Sequence, residues 1–371
     1  MALAGRTCTA ARRTARGAGR RAGGSVGRVG AVSEPSQAEM DGVTIRRRPP
    51  NGTDRHDLGG VFEFRVEDVE KDGRSYNKND ENKPRNILEE IIWSKDGEIA
   101  ARKEQMPLHL LKTAIETAPP VRSFPGALRA MKAETGLPGL IAEVKKASPS
   151  RGLIQPDFDP VEIALGYERG GASCCSVLTD EKYFQGSFEN LRLIRAAGVQ
   201  CPLLCKEFVV EPYQIFLARA KGADAVLLIA AVLPNQDLRY LMKVAHSLGM
   251  SCLVEVHTEQ ELERVLQLPD LEMVGVNNRN LETFEVDLAN TVRLLGGAMG
   301  DELRARDIIC VGESGIFAKA DIDFLEQAGI GAILVGESLV KQGDTSKAIA
   351  DLFEADVPEI GDVLARQAQQ Q

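Results

Sequence analysis

The residues that end five apolar, strand-like runs of this 371-residue sequence are mostly charged or polar. They are Glu143 and Lys145, Lys206 and Phe208, Glu255 and His257, Asn277 and Arg279, and Glu313 and Ser314. Most members of a pair are two positions apart, so the alternation of a strand places both on the same side. Burying an unpaired charge costs several kcal/mol or more. These groups must therefore pair with one another or with a ligand.

The residue types at these run ends suit acid–base chemistry on an anionic molecule. Lysine and glutamate side chains can donate and accept protons within hydrogen-bonding reach of a reacting group. A lysine beside other cations has its pKa lowered towards a useful range, and this is the expectation for Lys206. Lys145, Lys206 and Arg279 would bind negative charge. The alternative is structural, in which Glu143 and Lys145 form an ion pair at a rim and Lys206 is a surface lysine.

Two similar turns, VGESGI and LVGESL, end the last two strand-like runs. Each places Gly, Glu and Ser between a strand and a helix, where main-chain N–H groups can hold a phosphate. Gly315 and Gly336 lack the Cβ atom that would block its approach. The loops after the last two strands of a (β/α)8 barrel often bind phosphate. An ordinary strand-to-helix turn is the alternative for each copy taken alone.

Eight apolar runs, separated by amphipathic stretches, follow one another from Leu137 onward. The runs are LIAEV, SCCSVL, PLLCKEF, DAVLLIA, SCLVEV, MVGVNN, IICVGE and AILVGE. This alternation predicts an α/β fold, a (β/α)8 TIM barrel, whose active site lies at the carboxyl ends of its strands. A doubly wound sheet is the competing fold, but such sheets usually carry a glycine-rich turn after the first strand. Here that strand is followed by Lys-Ala-Ser-Pro-Ser.

The chain before the barrel divides into three parts. Residues 86–136 predict two or three extra N-terminal helices, with Asn86 as an N-cap, and they belong to a catalytic domain over 86–371. Residues 34–85 are polar and irregular, which is typical of an arm or linker. Residues 1–33 contain seven arginines and no acidic residue, which predicts a disordered organelle transit peptide. A basic tail that stays attached is the alternative.

Charge and composition disfavour several classes of partner and cofactor. Without the leader the chain has 38 Lys and Arg against 54 Asp and Glu, a formal net charge of −16. Such an acidic body is a poor partner for nucleic acid or an anionic membrane. Its longest apolar runs are about eight residues, against the roughly 20 that a membrane span needs. The six cysteines outside the leader form no CxxC pair and only four histidines are present, so the sequence predicts no metal site and no cofactor.

Six motifs, in this order and spacing, resemble those of the indole-3-glycerol phosphate synthase family. They are AEVKKASPSRG, CKEF, LVEVH, GVNNRNL, VGESGI and VGESL. The resemblance covers residues 84–355, including the helical segment before the first strand. It extends to the arm, because IRRRPPNG and FEFRVED are similar to the N-terminal regions of plant-type, plastid members. This similarity supports the transit-peptide prediction.

The resemblance implies a reaction and a set of catalytic roles. The substrate would be 1-(2-carboxyphenylamino)-1-deoxyribulose 5-phosphate, which closes its ring with loss of CO2 and water. The product would be indole-3-glycerol phosphate, in tryptophan biosynthesis. Lys206 would be the general acid, Glu255 the general base, and Lys145 a substrate contact and candidate second acid. The other matching catalytic positions are Glu143, Asn277 and Glu313.

The resemblance also implies how the two ends of the substrate would be held. The matching positions at the anthranilate end and its apolar wall are Asn277, Arg279, Phe208 and Leu281. Those at the phosphate end are Ser314, Gly315, Gly336 and Glu337. Ser148 and Pro149 match the loop after the first strand. Glu337 departs from the serine of some members, and its carboxylate would repel phosphate, so only its main-chain N–H is expected to bind.

Two other functions compete with this one. Phosphoribosylanthranilate isomerase would need a cysteine motif after the first strand, and Glu-Val-Lys is present there instead. A catalytically silent phosphate-binding barrel, acting as a partner subunit, would be free to lose Lys145, Lys206 and Glu255. We expect a monomer that acts on a small phosphorylated molecule in the chloroplast stroma, with the mitochondrion the less favoured location. Association with other enzymes of tryptophan synthesis is compatible with this expectation.

Overall fold

The computed structural model describes residues 43–47, 83–280 and 283–370. Residues 1–42, 48–82, 281–282 and 371 lie outside the described residues. The predicted transit peptide and most of the predicted arm fall in this undescribed part. Within the described ranges, no helix combines the length and the apolar character that crossing a bilayer requires.

In the described chain, three helices precede the first strand. They are α1 Ile87–Gln105, α2 Leu108–Glu116 and α3 Phe124–Thr135. α1 begins at the predicted cap, because the Asn86 side chain accepts a hydrogen bond from the N–H of Glu89. α3 ends at Gly136, whose φ of +74° is left-handed and therefore favours glycine. This turn leads the chain into the first strand.

Eight parallel strands form a closed barrel, which confirms the predicted fold. The strands are β1 Gly139–Val144, β2 Cys174–Leu178, β3 Leu203–Lys206, β4 Ala225–Ile229, β5 Ser251–Val256, β6 Met273–Asn277, β7 Ile309–Glu313 and β8 Ala332–Val335. Strands that follow one another in sequence are paired, and β8 closes the barrel on β1 with Ala332 opposite Gly139. Closure of the barrel excludes the competing doubly wound sheet.

Further helices surround the barrel. They are α4 Pro160–Arg169, α5 Phe188–Ala196, α6 Pro212–Ala220, α7 Asn235–Ser247, α8 Glu259–Val265, α9 Ala289–Leu295, α10 Gly297–Ala305, α11 Lys319–Glu326, α12 Glu337–Val340, α13 Thr345–Phe353 and α14 Ile360–Gln370. In α7, Leu238, Leu241, Met242 and Ala245 lie on one face of the helix and are buried. Such stripes cover the outer faces of the strands with apolar side chains.

The register of the strands brings their polar carboxyl ends to one level of the barrel. Glu143 of β1 is opposite Ser176 of β2, and Asn277 of β6 is opposite Glu313 of β7. Closer to their amino ends the strands carry buried apolar residues. The polar residues that end separate runs of the sequence therefore meet at one rim, as the strand alternation predicted.

A short N-terminal segment, residues 43–47, packs against α1 and the barrel. The Ile45 side chain is buried. The Arg46 guanidinium forms a 2.9 Å ion pair with the buried carboxylate of Glu89 in α1. Arg47 forms an ion pair with a carboxylate of α7. This part of the predicted polar arm is attached to the catalytic domain.

Candidate active site

A cavity opens at the carboxyl ends of the strands. It has a volume of about 1260 Å³, including the solvent in its open mouth. All of the predicted site residues line this cavity except Leu281, which lies outside the described residues. The register of the strands therefore brings together polar residues that are far apart in the chain.

Lys206, the last residue of β3, lies between two carboxylates. Its Nζ is 2.6 Å from Oε2 of Glu313 and 3.6 Å from Oε2 of Glu255. Burial acts to lower the pKa of Lys206, but Glu313, Glu255 and Glu143 outweigh it and raise the pKa. The expectation of a lowered pKa was wrong, because the charges nearest to Lys206 are carboxylates and not cations. The ammonium therefore stays protonated at neutral pH.

Glu313, at the end of β7, is a carboxyl group beside Lys206 whose pKa is raised. Its Oε2 accepts a hydrogen bond from Lys206, whereas its buried Oε1 has no hydrogen-bond partner among the described residues. Burial raises the pKa of Glu313 to about 7, although the charge of Lys206 opposes the shift. Glu313 can therefore take up or release a proton beside Lys206 near neutral pH.

Glu143 and Lys145 form an ion pair at the end of β1, with 2.5 Å between Oε1 and Nζ. Burial acts to raise the pKa of Glu143, but Lys145 and Lys206 outweigh it and lower the pKa. Glu143 is therefore ionised at neutral pH. The rim ion pair that the sequence offered as a structural alternative is present, but it lines the same cavity as Lys206 and is available to a ligand.

Asn277 connects the candidate base to the candidate anion-binding residue. Its Nδ2 donates to Oε1 of Glu255 at 3.1 Å, and its Oδ1 accepts from the main-chain N–H of Arg279 at 3.0 Å. The Arg279 guanidinium donates to the main-chain oxygen of Phe284 at 3.2 Å. These bonds orient the Glu255 carboxylate and hold Arg279 at the cavity wall.

The turns after β7 and β8 leave room for close approach of a ligand. Ser314 and Gly315 both have positive φ, at 66° and 82°. At Gly336, a Cβ atom would lie 2.9 Å from Nζ of Lys145 and would collide with the Glu143 carboxylate. A side chain at this position would therefore displace the Glu143 carboxylate and the Lys145 ammonium. Glycine at position 336 therefore leaves room for the ion pair in its present position.

Glu337 is the predicted site residue whose charge conflicts with phosphate binding. Its carboxylate forms ion pairs with Lys341 at 2.6 Å and with Arg151, from the loop after β1, at 3.4 Å. Burial acts to raise its pKa, but these two cations outweigh it and lower the pKa, so the group is ionised. The cations offset part of the repulsion that a lone carboxylate would exert on a phosphate.

The apolar wall of the cavity contains residues that the sequence analysis missed. The ring of Phe184 lies 5.9 Å from the ring of Phe208, measured between centroids. Ile87, Leu88 and Ile91 of α1 also line the cavity. The helical spacing of the α1 residues predicted packing only. For Phe184, the available signal was its position in a loop after a strand, on the face where barrel enzymes have their sites.

The loop after β1 forms a small antiparallel hairpin beside the cavity. Residues Ala147–Ser148 pair with Gly152–Leu153. Ser148 and Pro149 line the cavity, as predicted from the resemblance. The pairing within the loop, together with the ion pair between Arg151 and Glu337, holds these two residues at the cavity.

These features define a class of protein before any comparison is made. A closed barrel with paired lysines and glutamates at its mouth is a (β/α)8-barrel enzyme of the acid–base type. The cavity adds an apolar wall and glycine-containing turns, which suit an aromatic and a phosphate group respectively. Among residues 43–47, 83–280 and 283–370, no group of three or more His, Cys, Asp or Glu side chains is arranged to hold a metal ion.

Comparison with known proteins narrows this class to one family. A family model described as indole-3-glycerol phosphate synthase matches residues 88–352. The chloroplastic indole-3-glycerol phosphate synthase of Arabidopsis thaliana is 57% identical over 318 residues, covering 85% of this chain and 76% of the relative. The indole-3-glycerol phosphate synthase of Rippkaea orientalis is 51% identical over 312 residues, covering 84% of this chain and 100% of the relative. That of Crocosphaera subtropica is 52% identical over 312 residues, covering 84% and 99%.

The chain belongs to the indole-3-glycerol phosphate synthase family. It is an enzyme of the carboxy-lyase class, and the family acts in tryptophan biosynthesis. This assignment sets aside phosphoribosylanthranilate isomerase, the alternative closest in chemistry.

Proposed function

We propose that this chain converts 1-(2-carboxyphenylamino)-1-deoxyribulose 5-phosphate into indole-3-glycerol phosphate, with Lys206 as the general acid. The observation that carries the proposal is the position of Lys206, with its Nζ 2.6 Å from Glu313 and 3.6 Å from Glu255 in the cavity. A protonated amine between two carboxylates can donate its proton to a substrate and regain one from its neighbours.

Binding would place the two anionic ends of the substrate in different parts of the cavity. Arg279 would hold the anthranilate carboxylate, and the main-chain N–H groups at Gly315 and Gly336 would hold the phosphate. The aromatic ring would pack on Phe208. Such a pose holds the reacting ring carbon close to the carbonyl carbon of the ribulose. Positioning of this kind can lower the activation barrier by several kcal/mol.

Three proton transfers accompany the bond changes. The ring carbon that bears the carboxylate attacks the carbonyl carbon, and Lys206 protonates the carbonyl oxygen as its π bond breaks. Loss of CO2 then returns the electron pair of the broken bond to the ring. Lys145 protonates the hydroxyl that leaves as water, and Glu255 accepts the proton that is lost as the indole becomes aromatic. The sum takes up one proton from solvent, which Glu313 can pass to Lys206.

The experiment that tests the acid assignment is Lys206→Ala, assayed by the fluorescence of the indole product. We expect kcat to fall by at least about 10², with affinity for the product largely retained. Lys146→Ala serves as the control, because this proposal gives Lys146 no role. Near-normal turnover of Lys206→Ala would overturn the assignment. Absence of product with the wild-type chain would favour the silent barrel that acts as a partner subunit.

We propose that residues 1–33 direct the chain to plastids and are then removed. The basic, acid-free composition of this segment and the chloroplastic Arabidopsis relative support the proposal. A fluorescent protein fused after residue 42 should accumulate in plastids, and a mitochondrial or cytosolic signal would contradict it. We also propose that the mature chain is a monomer, which light scattering of the purified protein tests.

A further inference from the structure

Lys95, in the middle of α1, is a buried lysine to which the proposed reaction gives no role. Its side chain is fully buried, and its Nζ lies 2.7 Å from Asp180, 2.7 Å from Glu207 and 2.9 Å from Glu98. Burial acts to lower the pKa of Lys95, but these carboxylates outweigh it and raise the pKa, so the ammonium stays charged. We refer to these four side chains as the Lys95 cluster.

Two carboxylates of the Lys95 cluster also hold main-chain N–H groups beside the cavity. Oδ1 of Asp180 accepts from the N–H of Tyr183 at 2.7 Å and from that of Phe184 at 3.1 Å. Oε1 of Glu207 accepts from the N–H of Phe208 at 2.9 Å. A single ammonium therefore connects α1, the loop after β2 and the end of β3.

The segments held in this way carry the aromatic wall and the proposed acid. Phe184 and Phe208 face each other across 5.9 Å, and Nζ of Lys95 lies 5.9 Å from the centroid of the Phe208 ring. Lys206 directly precedes Glu207, so their side chains leave the strand on opposite sides. The same short segment thus presents Lys206 to the cavity and Glu207 to the buried ammonium.

We propose that Lys95 is a positioning residue that fixes the aromatic wall and, through Glu207, the main chain that carries Lys206. The inference rests on the proposed function, because it takes the substrate ring to pack on Phe208. Displacing the wall would shift the reacting ring carbon relative to the carbonyl. A misplacement of about 1 Å can reduce the rate of an enzyme about 10²-fold.

The chain offers a matched control at the opposite end of β3. Arg195 and Asp224 form a buried ion pair, and Oδ2 of Asp224 accepts from the N–H of Leu203 at 2.7 Å. Both the control pair and the Lys95 cluster are buried, and each holds one end of the same strand. The control pair does not contribute to the lining of the cavity described above. It therefore separates loss of stability from loss of positioning.

The experiment compares Lys95→Met, Glu207→Gln and Asp224→Asn in the full chain. For each variant we would measure kcat and KM by indole fluorescence, the melting temperature, and the Ki of inorganic phosphate as a competitive inhibitor. We expect Lys95→Met to lower kcat/KM by at least about tenfold while the Ki of phosphate changes less than about twofold. Glu207→Gln should also lower kcat/KM, by a smaller factor than Lys95→Met, and should leave the Ki of phosphate within about twofold of wild type. Asp224→Asn should lower the melting temperature and leave kcat and KM within about twofold of wild type.

Several results would overturn the positioning role. They are a kcat/KM of folded Lys95→Met within about twofold of wild type, an equal loss of kcat/KM in Asp224→Asn, or a Ki of phosphate that rises as much as KM. If Lys95→Met does not fold, Glu207→Gln decides the question alone, since it keeps an acceptor for the N–H of Phe208. A wild-type chain without turnover would instead refute the proposed function, so the two failures are distinct.

Discussion

Lys206 and Glu313 are separated by 107 positions in the chain and by 2.6 Å in the site. Their ionisation depends on this proximity, which raises the pKa of Lys206 while burial raises that of Glu313 to about 7. Strand-end chemistry was sufficient to select both residues from the sequence. It was not sufficient to predict which charges would be nearest to Lys206. The predicted direction of the Lys206 pKa shift was therefore wrong, because it was based on cations, whereas Glu313, Glu255 and Glu143 are the charges that determine it.

A pH-dependent stability follows from the raised pKa of Glu313. Between about pH 4.5, the ordinary value for glutamate, and about pH 7, the folded chain binds a proton that the unfolded chain has lost. The free energy of unfolding that Glu313 contributes is therefore present at low pH and is lost as the pH rises through 7. Relative to Glu313→Gln, the wild-type chain should lose on the order of 2 kcal/mol of stability between pH 5 and pH 8.

Urea unfolding of both chains at intervals of half a pH unit measures this difference. It should decline through the window and become constant above about pH 8. A difference that stayed constant, or that grew with pH, would show that Glu313 is ionised throughout the window in the folded chain.

At the scale of elements, the barrel was predictable because each strand is a short apolar run that ends in polar residues. The same alternation predicted which side of each strand faces the cavity. The contribution of α1 was not predictable in this way, because Ile87, Leu88 and Ile91 have the spacing of any packed helix. Phe184 was missed for a related reason, since its loop is held by Asp180, which in turn is held by Lys95 of α1, 85 positions away in the chain.

Gly275 of β6 lies directly beside the Glu313 carboxylate and leaves room for it. A Cβ atom on Gly275 would collide with Oε1 of Glu313. We expect Gly275→Ala to displace the carboxylate from Lys206 and to lower kcat by at least about tenfold. Gly312→Ala is the matched control, because its Cβ would meet the end of the Leu325 side chain at 3.1 Å and two Ile330 side-chain carbons at 4.0 Å, and none of these atoms lines the cavity. Its kcat, measured with the same assay, should stay within about twofold of wild type.

Equal losses of kcat in the two glycine variants would point to a general effect on the strands. An unchanged kcat in Gly275→Ala would mean that the proposed reaction does not require Glu313 in its present position.

At the scale of the whole molecule, residues 43–47 pack against the barrel although they lie about 40 positions before α1 in the chain. The main chain of Ile45 donates to the oxygen of Ala231 at 3.1 Å, and the Trp93 side chain donates to the oxygen of Arg46 at 2.6 Å. The polar composition of residues 34–85 gave no sign of this attachment, because five residues with one buried isoleucine are too short to show a period. Their partners are visible only in the fold.

Removing this segment should destabilise the domain. A chain that begins at residue 48 loses the buried Ile45 and leaves the buried Glu89 with fewer cationic partners. We expect about 2 to 4 kcal/mol of lost stability relative to a chain that begins at residue 43. Thermal unfolding compares the two, and the chain that begins at 43 should match the full-length protein. The double variant Ile45→Ala, Arg46→Ala in the full-length chain controls for effects of truncation, and equal melting temperatures throughout would refute the expectation.

The docking of residues 43–47 on α1 has a consequence for the proposed removal of residues 1–33. The helix that receives this short segment also lines the cavity, so a protease that cut beyond residue 42 would remove a contact that supports the cavity wall. The stability of the folded chain, and not only the specificity of the protease, therefore limits how far into the sequence cleavage can occur.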